Sequence, residues 1–156
     1  MSFKYFAIII LPVLFAGCSP KPDLTPLNTP SGKPEVTIQG KTQQEIIEGI
    51  ISFCAETGAM LDDQTTSTVV CSSDAGGFKA NFMFGTQYGA LRIVNRWFVT
   101  KAGQDGMRVQ IISAYYENMN AYGGVQKYPQ DVTRGVGAQQ LQSMVEEFAT
   151  IMAKGE

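Results

Sequence analysis

The stretch that decides the fold is residues 91–116, LRIVNRWFVTKAGQDGMRVQIISAYY. Its two halves each alternate between apolar and polar residues, a period of two that is typical of strands with one buried face. Between them, residues 101–106 end in Asp105-Gly106, a pair that favours a tight hairpin turn, so the stretch predicts two antiparallel strands. The residues predicted to face the core are Leu91, Ile93, Trp97, Val99, Met107, Val109, Ile111 and Tyr115. Those predicted to face the opposite side are Arg92, Val94, Arg96, Phe98, Arg108, Gln110, Ile112 and Tyr116.

Further strands are predicted on the amino-terminal side of this hairpin. In residues 78–84, three phenylalanines and an alanine share one face, which predicts a half-buried strand. Together with the hairpin, this segment gives three consecutive antiparallel strands. The other predicted strands are residues 35–39, 59–61 and 66–72, separated by turns at 62–64 and 73–77.

Two amphipathic helices are also predicted. Thr42 and Glu45 form a capping-box pattern, in which the hydroxyl and the carboxylate satisfy free amides at a helix start. The first helix then runs to Gly58, and the second lies near the carboxyl-terminal end. The apolar stripe of the first helix is Ile46, Ile47, Ile50, Ile51, Phe53 and Cys54, and that of the second is Leu141, Met144, Val145, Phe148, Ile151 and Met152.

The order β-α-β-β-β-β-β-α predicts an α+β fold. Because each element has one apolar side, an antiparallel sheet with both helices packed on one face would bury all of these sides in a two-layer sandwich. The layout resembles that of helix-grip domains, including those of some outer-membrane assembly lipoproteins, and this resemblance carries no function with it. Residues 118–137 show no strong periodicity and are predicted to form a long loop, a kind of segment that is often functional.

The amino-terminal end has the pattern of an exported protein. Lys4 precedes residues 5–17, an uncharged and largely apolar run of 13 residues that ends in small side chains. A helix that spans a bilayer needs about 20 residues, so this run is too short to remain as a membrane helix. It predicts a secretory signal peptide.

The residues that follow this run point to a lipid anchor. Ala16-Gly17-Cys18 resembles the end of the lipobox of bacterial prolipoproteins, with Phe15 at a position where leucine is usual. The resemblance implies cleavage before Cys18 and acyl chains attached to that residue, which hold a protein firmly on a bilayer. Ser19, rather than aspartate, resembles lipoproteins sent on to the outer membrane. The alternative is an ordinary signal peptide cut at the same place, which leaves a spare thiol.

The predicted organisation is a signal peptide at residues 1–17, a lipidated tether at 18–34 and a single α+β domain at 35–156. The tether holds five of the seven prolines among polar residues, so we expect it to be extended and mobile, with a reach of up to about 50 Å. After removal of the signal peptide the chain has 11 basic and 14 acidic residues, a net charge of −3. This charge gives no reason to expect a nucleic-acid partner.

With Cys18 assigned to lipid, Cys54 and Cys71 remain as a pair. In an oxidising compartment such a pair predicts a disulfide, which would join the first helix to the strand at 66–72. Two reduced and buried cysteines are the alternative. The chain has neither a Cys-x-x-Cys motif nor any histidine, so the sequence indicates no thiol-redox motif and no zinc site.

Catalytic and cofactor signals are weak throughout the chain. The absence of histidine excludes Ser-His-Asp and Cys-His arrangements. Asp62-Asp63 is a candidate acidic pair that we interpret as a solvated turn, and Glu146-Glu147 belongs to the polar side of the second helix. The sequence therefore predicts no catalytic residue, metal site or cofactor.

One surface is predicted to bind a partner. No acidic residue occurs between Asp74 and Asp105, and the alternation places several cations on the sheet face opposite the helices. A cationic face with apolar members would suit an anionic protein, a glycan strand or a lipid head group. The alternative is a solvated face on which arginine stems cover aromatic rings. The candidate partner-binding residues are Lys79, Arg92, Arg96, Phe98, Arg108 and Tyr116.

These expectations combine into one predicted function, that of a non-enzymatic, lipid-anchored protein of the bacterial cell envelope. It would face the periplasm and act as a binding or assembly accessory. Its partners would be the membrane, through the anchor, and an envelope protein or glycan. The alternatives are a periplasmic enzyme or enzyme inhibitor that uses residues 118–137, and a structural or immunity-type surface lipoprotein.

Overall fold

The computed structural model describes residues 25–74, 91–119 and 124–154. In these residues an antiparallel sheet of six strands packs against two helices, which confirms the predicted α+β two-layer sandwich. The predicted signal peptide, Cys18 and the predicted strand at 78–84 lie outside the described residues. The elements are β1 (Glu35–Gln39), α1 (Gln43–Glu56), β2 (Met60–Gln64), β3 (Thr68–Asp74), β4 (Arg92–Ala102), β5 (Gly106–Met119), β6 (Val125–Pro129) and α2 (Gly135–Lys154).

The sheet is built around the predicted hairpin of β4 and β5. The strand order is β1-β5-β4-β3-β2, and β6 also pairs with β5. β5 has 14 residues, and two short strands share its second edge. β1 pairs with residues 106–110 of β5, and β6 pairs with residues 115–119. The longest strand therefore organises both ends of the sheet.

Three local predictions are wrong, and each concerns a segment with little apolar patterning. β6 and the start of α2 occupy part of the predicted loop at 118–137. All five residues of β6 are polar or lie at least partly exposed on a sheet edge, so no buried face marks it as a strand. Asp62-Asp63 belongs to β2 rather than to a turn, and the turn follows at residues 65–67. Asp74 likewise ends β3 instead of lying in a turn.

A bulge in β5 changes which tyrosine faces the helices. The pairing between β4 and β5 passes from Arg96–Ser113 to Trp97–Ile111, which leaves Ile112 as an extra residue in β5. An extra residue reverses the alternation beyond it. Tyr115 therefore shares a face with Val94, opposite the helices, and Tyr116 shares the helix side with Ile93. The prediction placed both tyrosines on the wrong faces.

The core lies between the helices and one face of the sheet, which we call the inner face. Its centre is an aromatic cluster of Phe53 on α1, Trp97 on β4 and Phe148 on α2, whose ring centroids lie 5.7–6.0 Å apart in edge-on contacts. All three side chains are buried. Most residues of both predicted helical stripes are buried against the sheet, whereas Ile51, Met144 and Met152 are partly buried and Ile151 is exposed.

Two further predictions about α1 are confirmed. The capping box is present, because Thr42 accepts a hydrogen bond from the amide of Glu45 and the Glu45 carboxylate accepts one from the amide of Thr42. Cys54, in the last turn of α1, forms a disulfide with Cys71 on β3, with a Cα–Cα distance of 6.3 Å. The bridge joins helix to sheet beside the aromatic cluster.

Residues 25–34, which we call the N-terminal arm, are attached to the domain and are not part of a free tether. The amide of Leu27 donates to the carbonyl of Thr133 at 3.1 Å, and the amide of Gly135 donates to the carbonyl of Thr25 at 3.2 Å. At the other end of the arm, the buried Pro34 accepts a hydrogen bond from the amide of Ile111. The predicted tether, which ran to residue 34, is therefore too long by the length of this arm.

Candidate binding surface

The sheet face opposite the helices, which we call the outer face, is the surface on which partner binding is predicted. Directly paired residues of antiparallel strands project to the same side. Arg96 is paired with Val70 and Ser113, and Phe98 with Thr68 and Gln110, so these residues share the outer face. Arg92 and Arg108 lie on the same face by the same alternation.

Four of the six candidate residues are therefore brought to one face: Arg92, Arg96, Phe98 and Arg108. Tyr116 lies on the inner side because of the bulge at Ile112. Lys79 lies outside the described residues. The candidate surface is thus formed by the hairpin of β4 and β5 and by the strands on either side of it.

Arg92 lies in a row of polar side chains that crosses the sheet. Its guanidinium is 2.8 Å from a carboxylate oxygen of Asp62 on β2 and 3.6 Å from one of Glu117 on β5. It also donates a hydrogen bond to the hydroxyl of Ser72 on β3. The Nε atom of Arg92 is buried and has no hydrogen-bond partner among the described residues. Arg92 therefore contacts side chains of β2, β3 and β5 rather than projecting freely.

Lys127 on β6 extends this row to the far edge of the sheet. Its ammonium is 3.8 Å from a carboxylate oxygen of Glu117, and it lies 4.9 Å from the ring centroid of Tyr115. The second contact is a cation–π geometry. Glu117 and Tyr115, the two β5 residues that Lys127 contacts, lie on the outer face because of the bulge at Ile112. The row thus runs from Asp62 through Arg92 and Glu117 to Lys127.

Arg108 faces a buried carboxylate on the neighbouring strand. Its Nε atom is 4.0 Å from Glu35, whose side chain is 5% exposed. The Glu35 carboxylate accepts hydrogen bonds from the amide and hydroxyl of Ser31 and from the side-chain amide of Gln110. Burial raises the pKa of Glu35, but these hydrogen bonds and the charge of Arg108 outweigh it and lower the pKa below its usual value of 4.5.

Among the described residues of the outer face, Arg92, Arg108 and Lys127 consequently each lie beside a carboxylate, where the sequence predicted cations without acidic neighbours. The gap without acidic residues between positions 74 and 105 exists along the chain only. In the sheet, β2, β5 and β1 bring Asp62, Glu117 and Glu35 beside the cations of β4 and β5. The alternation of apolar and polar residues does not reveal the order of the strands, and it is this order that places the three carboxylates beside the cations.

Arg96 is the exception among these cations. Its side chain is exposed, and no ion pair joins it to any residue in the described ranges. It lies between half-buried Phe98 on the same strand and Val94, which is 1% exposed. Val70, directly paired with Arg96, is also buried. An unpaired guanidinium beside apolar side chains is the part of this surface best suited to contact an anionic or aromatic group.

Five residues of this surface were not predicted from the sequence: Glu35, Asp62, Tyr115, Glu117 and Lys127. Asp62 had been assigned to a turn, and Lys127 belongs to a strand without an apolar face. Only Glu117 could have been predicted from the sequence. If the second strand of the hairpin is extended beyond residue 115, hairpin pairing places Glu117 opposite the start of β4.

Other parts of the described chain show fewer features suited to binding than the outer face does. A cavity of about 160 Å³ lies beside the disulfide and is lined by Phe53, Trp97 and Asn95 among others. The Oδ1 atom of Asn95 is buried and has no hydrogen-bond partner within the part of the chain that the structure describes. Within residues 25–74, 91–119 and 124–154 there is no group of three or more side chains suited to hold a metal ion. In the same residues, neither helix is both long enough and apolar enough to cross a bilayer.

Comparison of the chain with protein-family models, with curated proteins and with solved structures finds no match.

Proposed function

We propose that this chain is a lipid-anchored protein of the bacterial cell envelope, whose α+β domain is a non-enzymatic binding or assembly module that faces the periplasm. The lipobox-like residues before Cys18 support the anchor, and Ser19 after it supports an outer-membrane location. The disulfide between Cys54 and Cys71 supports export, because such bonds persist in oxidising compartments. Export and anchoring are thus supported by two independent features of the chain.

The binding role is supported mainly by the exposure of Arg96 and by the charges around it. Its three neighbouring cations on the outer face each lie within 4.0 Å of a carboxylate, whereas Arg96 is exposed and has no such partner among the described residues. Phe98 beside it adds apolar surface. Arginine and aromatic residues are enriched where proteins contact each other. The proposed partner is an envelope protein or glycan that presents an acidic or planar group to Arg96.

The first experiment tests the lipid anchor. Cells that express the full chain are fed a fatty acid with an alkyne tag, and the protein is recovered and coupled to a dye. We expect the wild type and a Ser19→Ala control to be labelled and Cys18→Ala to be unlabelled. Equal labelling of Cys18→Ala and the wild type would show that the acyl chains are not on this residue.

The second experiment tests the outer face in cells. A photo-cross-linking amino acid replaces Thr68, which is paired with Phe98, and in a separate strain it replaces Glu147 on the exposed side of α2. We expect a discrete cross-linked product from position 68 and none from position 147. Arg96→Glu should remove the product, while Lys101→Glu, the same charge change at the end of β4, should leave it. A product that persists in Arg96→Glu would refute the role of Arg96.

A further inference from the structure

The N-terminal arm determines how many residues can separate the folded domain from an anchor at Cys18. Thr25 accepts a hydrogen bond from the amide of Gly135, and Pro26 forms an isolated β-bridge with Arg134. These contacts place residue 25 beside the first turn of α2. The segment that could separate the domain from Cys18 therefore ends at residue 25 and not at residue 34.

Covalent geometry limits how far this entry point can be from the anchor. Seven residue steps join Cys18 to Thr25, and a fully extended chain spans at most about 3.6 Å per residue. The entry point can thus lie no more than about 25 Å from the acylated cysteine. This is half of the reach expected for a free tether of residues 18–34, and less than the length of α2 at about 1.5 Å for each of its 20 residues.

The surface at this entry point is suited to a lipid–water boundary. Val136, in the first turn of α2, is 56% exposed and lies off the buried stripe of that helix. Arg134 is exposed and paired with Asp131 at 2.8 Å, so its charge is locally balanced. Hydrogen bonds from Thr133 and from Arg134 lower the pKa of Asp131 from its usual value of 3.8 to about 2. The surface thus combines an exposed apolar side chain with a neutral ion pair.

We infer that the corner formed by residues 25–28 and 131–136, the anchor corner, lies against the lipid head groups of the bilayer that holds Cys18, with Val136 in contact with them. This inference rests on the proposed lipid anchor. The tip of the β4–β5 hairpin then points away from the membrane. The carbonyl of Pro34 accepts a hydrogen bond from the amide of Ile111, and Gly106 lies five residues before Ile111 in β5, about 17 Å away at 3.4 Å per residue, with Gln104 beyond it in the hairpin turn.

The inference is tested with two single-cysteine labels on the full lipidated chain. The native cysteines are blocked by acylation at Cys18 and by the disulfide, so a thiol-reactive fluorophore labels only Val136→Cys or Gln104→Cys. Each protein is reconstituted into phosphatidylethanolamine–phosphatidylglycerol vesicles that contain a lipid with a nitroxide on its head group. We expect loss of most of the fluorescence at position 136 and little loss at position 104. A label at Asn28→Cys, which should behave as position 136 does, guards against a local effect on the start of α2.

The outcomes separate the two proposals. Protein that does not float with the vesicles refutes the anchor and, with it, the orientation. Protein that floats but shows equal quenching at positions 136 and 104 leaves the anchor in place and overturns the orientation alone. A flexible Gly-Ser insertion between Ser19 and Pro20 is expected to reduce quenching at position 136 toward that at position 104. Unchanged quenching after this insertion would show that the short connection does not hold the corner at the surface.

Discussion

The two faces of the sheet differ in the interactions that their side chains make. On the inner face, Phe53, Trp97 and Phe148 are buried in mutual contact, and the disulfide ties α1 to β3 beside them. On the outer face, Arg92 and its partners form partly exposed ion pairs. Buried apolar area is worth far more to stability than exposed charge pairs. The contrast teaches that the inner face fixes the fold, while the outer face is free to serve recognition.

The largest effect is expected from the aromatic cluster. Phe148→Ala should lower the free energy of unfolding by about 3–5 kcal/mol, because it removes a fully buried ring and leaves a cavity. Urea unfolding followed by the fluorescence of Trp97, the one tryptophan of the chain, measures the change. The matched substitution on the outer face is Phe98→Ala, for which we expect about 1 kcal/mol because the ring is only half-buried. Equal losses would contradict the contrast between the faces.

The disulfide should have the next largest effect. For two cysteines 17 residues apart, its loss is expected to lower the free energy of unfolding by about 3 kcal/mol. Thermal unfolding of a Cys18→Ser protein, with and without a reductant, measures this change without interference from a third thiol. The control adds Cys54→Ser and Cys71→Ser, which should remove the response to reductant. A double variant as stable as the oxidised protein would show that the bond does not brace the inner face.

A smaller effect, dependent on pH, is expected from Glu35. Because its pKa is lower in the folded protein than the usual 4.5, its contribution to stability is present above pH 4.5 and is lost as the pH falls through the folded value. Urea midpoints between pH 7 and pH 3 should therefore fall less steeply for Glu35→Gln than for the wild type. Glu147→Gln, on the exposed side of α2, is the matched control. The same slope in the wild type and Glu35→Gln would rule out this linkage.

The smallest effect is expected from the pair of Arg92 and Asp62. Both side chains are about 30% exposed, and ion pairs of this kind contribute about 0–1 kcal/mol. A double-mutant cycle with Arg92→Gln and Asp62→Asn should give a coupling energy in this range that shrinks as salt is added. A coupling that is larger and insensitive to salt would place the outer face among the determinants of the fold.

Local patterns in the sequence were sufficient for the main elements. The hairpin, the two helices, the capping box and the disulfide each depend on residues close in sequence or on a pairing with few alternatives. β6 could not be predicted in this way, since an edge strand with exposed side chains needs no apolar alternation. The N-terminal arm was missed for a related reason, because backbone hydrogen bonds to residues 133–135 hold it in place and have no signature in side-chain composition.

The candidate surface was predicted less well than the fold. Alternation correctly placed Arg92, Arg96, Phe98 and Arg108 on one face, but it gave no information on which residues of neighbouring strands lie beside them. The pairing of β2 with β3 brings Asp62 within reach of Arg92, although 30 residues separate the two in the sequence. Charge along a chain therefore does not predict charge across a sheet.

The extra residue at Ile112 has a consequence for how this protein can change over time. An insertion or deletion inside a paired strand normally moves every later side chain to the opposite face. Here the chain already contains one such shift, so losing a single residue at this point would return Tyr116 to the outer face and turn Tyr115 and Glu117 inward. One codon thus separates two different chemical surfaces on the same hairpin, and Trp97 on β4, with the rest of the aromatic cluster, is untouched by the exchange.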